Sequence, residues 1–301
     1  MSKAGLFTLD GVTDLHLHSG PSLAGRPLDD IETAQAASAA GMRAILLKDH
    51  FECTASRAYY ARRAVPGIQV FGGIVLNTHV GGINPAAAEA SLARGGKQVW
   101  MPTIDSQLHA DVFGSTGTYT SPNVHAGPPI GGSERLRRKT GITIAEGGDL
   151  KPETKEVVAV VRDYDGILGV SHIYNEEVMA LARFALANGV HKFLITHADY
   201  SVLRTLTIEQ LEELANLGAF IEFCSTSTFP PTCCFTPQKA AAWMRRLGPE
   251  RCVIASDAGA PLFPGEVESL RAYGEMLLAE GMTSTELRTM MIDNPARLLG
   301  L

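Results

Sequence analysis

Val12-Thr13-Asp14-Leu15-His16-Leu17-His18 is the stretch that decides the reading of this chain. A short apolar run ending in His-x-His sends two imidazoles to one point, because residues i and i+2 of an extended segment share a face. Imidazole is the commonest side-chain ligand of divalent metals, and two rings at a strand's end supply half of a zinc-type site. A surface pair arising by chance has the same local pattern, so the rest of the chain has to decide.

Working outward, short apolar segments alternate with amphipathic ones at residues 12–16, 44–48, 69–76, 98–103, 167–171, 193–196, 219–223 and 252–256. Repeated βα units of this kind build a parallel sheet. Eight of them predict a closed (β/α)8 TIM barrel of the α/β class, one domain over residues 1–301. The intervening helices carry their own punctuation. Asn84-Pro85 and Thr236-Pro237 read as N-cap plus first-turn proline, Thr207 with Gln210 as a capping box, and Gly41, Gly95, Gly218 and Gly248 as helix stops. One interval breaks the rhythm: the region of about 105–150, rich in Gly, Pro, Ser and Thr, between the fourth strand and its helix. Its length predicts a lid inserted over the barrel mouth. The glycines of 127–132 lack the strand-turn-helix setting of a phosphate loop and read as lid flexibility.

The 301 residues are 45% hydrophobic and 19% charged, enough for a large core. A net charge of -6, with no basic run longer than Arg135 to Lys139, argues against nucleic acid or a membrane surface as partner and leaves a small-molecule substrate. Five cysteines without a C-x-x-C pair point to a reducing compartment. With no apolar stretch of bilayer length and no signal-peptide zoning, the expected location is cytoplasmic. A homo-oligomer is expected, although no stripe of sequence marks its interface.

A barrel makes a further demand: reactive side chains should gather at the C-terminal ends of its strands. They do so here. His16 and His18 end the first strand and Lys48-Asp49-His50 the second; the third leads to His79 and the fourth to Asp105 and His109. His172 follows the fifth strand, His197 the sixth, Glu222 lies on the seventh, and Ser256-Asp257 ends the eighth. Of nine histidines, only His191 starts a strand, and His125 falls in the lid.

The order His16-x-His18, His172, His197 and Asp257, with the ending Asn294-Pro295-Ala296-Arg297-Leu298-Leu299-Gly300-Leu301, resembles the amidohydrolase superfamily of metal-dependent hydrolases. The likeness runs from residue 12 to 301. It implies a metal bound by His16, His18 and Asp257, with His172 and His197 completing a centre of one or two ions. Zinc is the first expectation, with manganese, iron or cobalt as alternatives. Such an ion lowers the pKa of bound water to about 7. Asp257, also readable as the N-cap of a following turn, would be both ligand and general base, with His197 beside the water. His50, His79, His109 and Arg26 are candidates to polarise a substrate carbonyl. Together these imply hydrolysis of an amide, cyclic amide, imide or lactone.

Strand four, Val99-Trp100-Met101-Pro102-Thr103, departs from the superfamily pattern because it lacks the lysine or glutamate that usually bridges two metals. Lys48 on strand two is the lysine near the mouth. It could be carboxylated and bridge, stay an amine that orients substrate, or pair with Asp49 or Glu222. The pairing of Asp14-Leu15-His16-Leu17-His18-Ser19 with Leu47-Lys48-Asp49-His50 also resembles the polymerase and histidinol phosphatase family, which would make His50 a ligand and the reaction phosphoester hydrolysis. A mononuclear decarboxylase of the first superfamily is the other alternative. Cys233-Cys234, after strand seven, reads as two thiols on a pocket wall, with a vicinal disulfide or metal role as alternatives. Tyr119 and Phe113 read as an apolar wall of the pocket, and Trp100 and Trp243 as packing. Strand parity with Phe220 leaves open whether Glu222 faces the barrel or the helices.

Overall fold

The computed structural model describes residues 7–121, 124–125, 134–203 and 206–301. Eight strands run in parallel in sequence order: β1 (Thr13–Leu17), β2 (Ala44–Leu47), β3 (Gln69–Val75), β4 (Gln98–Trp100), β5 (Ile167–Val170), β6 (Phe193–Ile195), β7 (Phe220–Cys224) and β8 (Cys252–Ala255). The sheet curls until its edges meet. Leu17 bridges Ala258, Asp257 N–H donates to His16 O at 2.7 Å, and His18 N–H donates to Ala258 O at 2.8 Å. The nearly closed (β/α)8 barrel expected from the periodicity is the observed fold.

Continuous apolar runs suit strands covered on both faces. Side chains alternate between a helix-facing layer, which includes Ile45, Leu47, Val99 and Ile254, and a barrel interior built on Leu15, Leu46, Phe71, Trp100, Phe220 and Val253. Room for the Trp100 indole comes from its neighbours: a Cβ on Gly73 would lie 2.7 Å from the indole, and one on Gly169 likewise 2.7 Å. Leu298 and Leu299 of the C-terminal helix Asn294–Leu299 join the interior cluster, and Asn294 Nδ2 donates to Cys252 O at the start of β8. The C-terminal segment therefore plugs the end of the barrel opposite the strands' C-termini.

β1 is not a regular strand. Its pairing with β2 slips by one residue between Asp14 and Leu17, a bulge that leaves Leu15 in the barrel interior and Leu17 among the helices. Bulges re-aim side chains beside sites. The interval after β4 carries a helix of its own, α1 (Gln107–Phe113), and two short two-stranded ribbons. Ser106 pairs with Ile142 to close the base of the insertion, and Glu177 Oε1 ties its return by accepting from Ile144 N at 2.9 Å and Ala145 N at 3.1 Å. The expected glycine segment 127–132 lies outside the described residues, as does the side chain of His125.

Candidate metal centre

The closing seam of the barrel builds the first half of the site. Asp14 Oδ1, buried between β1 and β8, accepts from His16 N and Ser256 N at 3.0 Å each, fixing both strand ends. Asp257 adopts a positive φ of 51° as the chain leaves β8. Gly259 follows at φ 114°, where a Cβ would stand 1.8 Å from His18 O, so only glycine lets the chain turn this close to the pair. Asp257 Oδ1 then lies 3.0 Å from His16 Nε2 and 3.1 Å from His18 Nε2.

Hydrogen bonds behind the rings decide what those nitrogens can offer. His18 Nδ1 lies 2.9 Å from Lys48 O, a carbonyl that only accepts, so Nδ1 carries the proton. Burial and the Arg26 charge push His18 down to about 3, which keeps the ring neutral and leaves Nε2 bare. That lone pair faces a carboxylate oxygen. His16 Nδ1 is 2.8 Å from Glu222 Oε1, while its Nε2 meets both Asp257 and Lys48 Nζ, the latter at 2.9 Å. Burial opposes charge on His16, but Asp257 and Glu222 outweigh it and raise the ring to about 9. A single Nε2 cannot donate to Asp257 and accept from Lys48 at once. A divalent cation would displace the proton from His16 Nε2 and leave three acceptors around one point, the two rings oriented from behind by Glu222 and the Lys48 carbonyl, an arrangement that suits ligands at about 2.0–2.2 Å.

Two ligand-like sets occur among the described residues: His16, His18 and Asp257, and His16, Glu222 and Cys224. The second is a hydrogen-bond network, because His16 Nδ1 is already engaged by Glu222 and burial raises the Cys224 thiol well above its usual range. Glu222 faces the barrel with Phe220, which settles the open parity. Its Oε1 accepts from His197 N at 3.1 Å as well as from His16.

The second half of the mouth is tied to the insertion. His109, on α1, has Nε2 2.6 Å from Thr118 O, so that nitrogen is protonated and, with burial pushing the ring down to about 4, Nδ1 is bare. His172 Nδ1, 3.4 Å away, must be the donor to it. Burial holds His172 neutral too, so its Nε2 lone pair points at His197 Nε2, 3.1 Å distant. His197, at a positive φ of 34°, also approaches Ser171 Oγ at 3.2 Å, and its ring centroid lies 5.7 Å from that of His16. Ser106 Oγ donates to His172 O.

The remaining candidates surround this core. Lys48 is fully buried, with burial lowering its pKa. The His50 ring lies tilted 4.9 Å from that of His18 but turns Nδ1 to Thr103 Oγ1 at 3.0 Å, and it belongs to neither set. His79 packs on Phe51 with neither ring nitrogen hydrogen-bonded. Arg26 donates through Nη1 to Gly259 O at 3.1 Å. Cys233 and Cys234 are free thiols, the first exposed and the second half-buried. Sequence reasoning missed Asp14, Ser106 and the place of His109 behind His172, since each acts through a partner distant in the chain.

Among solved structures, a metallopeptidase dipeptidase of family M19 shares the fold with a TM-score of 0.63 and 14% identity over 97% of this chain and 98% of its own. An amidohydrolase from Pseudomonas aeruginosa does so at 0.60 and 16% over 96% and 95%, and a 2,6-dihydroxybenzoate decarboxylase at 0.55 and 11% over 97% and 100%. The likeness to the amidohydrolase superfamily thus holds for the fold. No curated protein matches the sequence. No helix of the described residues is long and apolar enough to cross a membrane. Residues 11–222 match the family model described as "Family of unknown function (DUF6282)", and the chain belongs to that family.

Proposed function

We propose that this protein is a metal-dependent hydrolase of a small amide, cyclic amide, imide or lactone. The convergence of His16 Nε2 and His18 Nε2 on Asp257 Oδ1 at 3.0 and 3.1 Å, with each ring held from behind, carries the reading. A divalent ion there, zinc before manganese, iron or cobalt, supplies Lewis acidity that activates water and polarises a carbonyl. Asp257, whose pKa is held well below the usual carboxylate range by the neighbouring His16 against the pull of burial, is ionised at neutral pH. Its second oxygen can take a proton from attacking water and return it to the leaving nitrogen or oxygen. His172 and His197 present nitrogens from the opposite side of the mouth, completing one centre or holding a second ion. Lys48 would hold the ions as a carbamate or, as an amine, orient substrate.

Metal analysis of protein purified without chelator tests this, followed by stripping, reloading and assay on a panel of cyclic amides, imides and lactones. One or two ions per chain and turnover restored by reloading are expected; a protein that binds no divalent metal sinks the reading. The decarboxylase of the same fold supports a second reading, in which carbon dioxide is released from an aromatic acid on the same centre. The phosphoesterase alternative draws less support, since the barrel has eight strands and His50 Nδ1 is engaged by Thr103.

A further inference from the structure

Arg26 sits in the loop after β1, beside the metal centre, and its guanidinium is incompletely paired. Nη1 is used by Gly259 O, but Nε and Nη2 are shielded from solvent and have no hydrogen-bond partner. Those two nitrogens form one edge of the guanidinium, the edge that grips a carboxylate with two parallel N–H bonds. No carboxylate of the described residues stands within 4.0 Å to form an ion pair with it. The charged groups around Arg26 are Asp49 and Asp257, which attract it, and Arg57 and Lys48, which repel it. Neither acid pairs with the guanidinium, and Asp49 Oδ2 itself has no hydrogen-bond partner. Asp49 Oδ1 accepts from Phe51 N at 2.7 Å and its Oδ2 lies 3.9 Å from Arg57 Nη1, while Asp257 serves His16 and His18. A buried guanidinium with two idle donors costs stability, and such costs persist where a ligand repays them. Alongside lies a small apolar cluster of Ala24, Phe51 and Ile104, with Tyr119 packed against it.

We propose that Arg26 is an anion clamp, so that the substrate of this centre is a carboxylate with an apolar body, gripped by the Nε/Nη2 edge and laid against Phe51 and Tyr119. This rests on the metal-dependent reading for the reaction, but not for the binding. Calorimetric titration of zinc-loaded and metal-stripped protein with benzoate, phenylacetate and hexanoate, each against its neutral amide, tests it. At least one carboxylate should bind tenfold or more tighter than its amide in both forms. Arg26→Met should abolish that preference with zinc content unchanged, and Arg26→Lys, which keeps the charge but loses the two-pronged edge, should weaken it. Without ligand, Arg26→Met should melt no lower than the parent. The clamp is overturned if no carboxylate is preferred, if the preference survives Arg26→Met, or if it vanishes with the metal alone. A melting temperature several degrees lower in Arg26→Met, with zinc lost, would assign the side chain a structural role and overturn it too. Failure to bind zinc leaves the stripped-protein arm intact and strikes only the hydrolase reading.

Discussion

The two halves of the barrel mouth are built from different parts of the molecule. The β1/β8 half is supported by the barrel itself: Asp14 pins both strand ends, Glu222 of β7 and the Lys48 carbonyl set the histidine tautomers, and Gly259 lets the chain pass. The β5/β6 half leans on the insertion, since His172 takes its orientation from His109 and Ser106, and His109 takes its own from Thr118. The barrel half should therefore hold metal on strand geometry alone, and the other half should respond to the insertion.

Asp257→Ala attacks the barrel half most directly. Removing the oxygen that both histidines face should abolish stoichiometric metal binding and cut turnover by about 10³-fold or more. Metal analysis and assay at saturating zinc would check this, and full metal occupancy in the variant would break the proposed ligand set. Glu222→Gln is subtler, because the amide oxygen can still accept from His16 Nδ1 and His197 N. The charge behind the ring disappears, and metal affinity should fall about 10–100-fold in chelator competition. His109→Phe probes the other half. With no acceptor for its Nδ1–H, His172 is free to flip, so turnover should drop about tenfold while the ion on His16 and His18 stays bound. Equal metal loss in His109→Phe and Glu222→Gln would show that the halves are not separable.

The asymmetry also explains how much of the protein could be read from its sequence. The eight apolar runs and the caps at Asn84, Thr207 and Thr236 are local signals, and the structure keeps them: the Asn84 side chain accepts from Ala87 N and Thr207 from Gln210 N. Strand ends bearing histidines are equally legible, because a barrel converts position along each strand into position at the mouth. What stayed hidden depends on phase and distance. Glu222 could be placed only once Phe220 was known to face the interior. The β1 bulge breaks simple alternation between Leu15 and Leu17. The His109–His172 contact joins residues 63 apart through an insertion with no period of its own.

The smallest expected effect lies just behind the mouth, at Asp199 on the turn after β6. Burial raises this carboxyl to about 8, although its oxygens accept from Cys224 N at 3.2 and 3.0 Å. In the unfolded chain it would ionise near the ordinary 3.8. Between those values the unfolded state binds fewer protons than the folded one, so this residue makes stability fall as pH rises through the window. Asn retains an acceptor for Cys224 N and carries no charge. The melting temperature of Asp199→Asn relative to the parent should therefore climb from about pH 4 to pH 8 and level off above. Taking the difference cancels the opposite trend of His18, whose lowered pKa costs stability as pH falls below the ordinary histidine range. A difference that stays constant with pH would mean that Asp199 is ionised in the fold, making the support behind the two halves more polar than its burial implies.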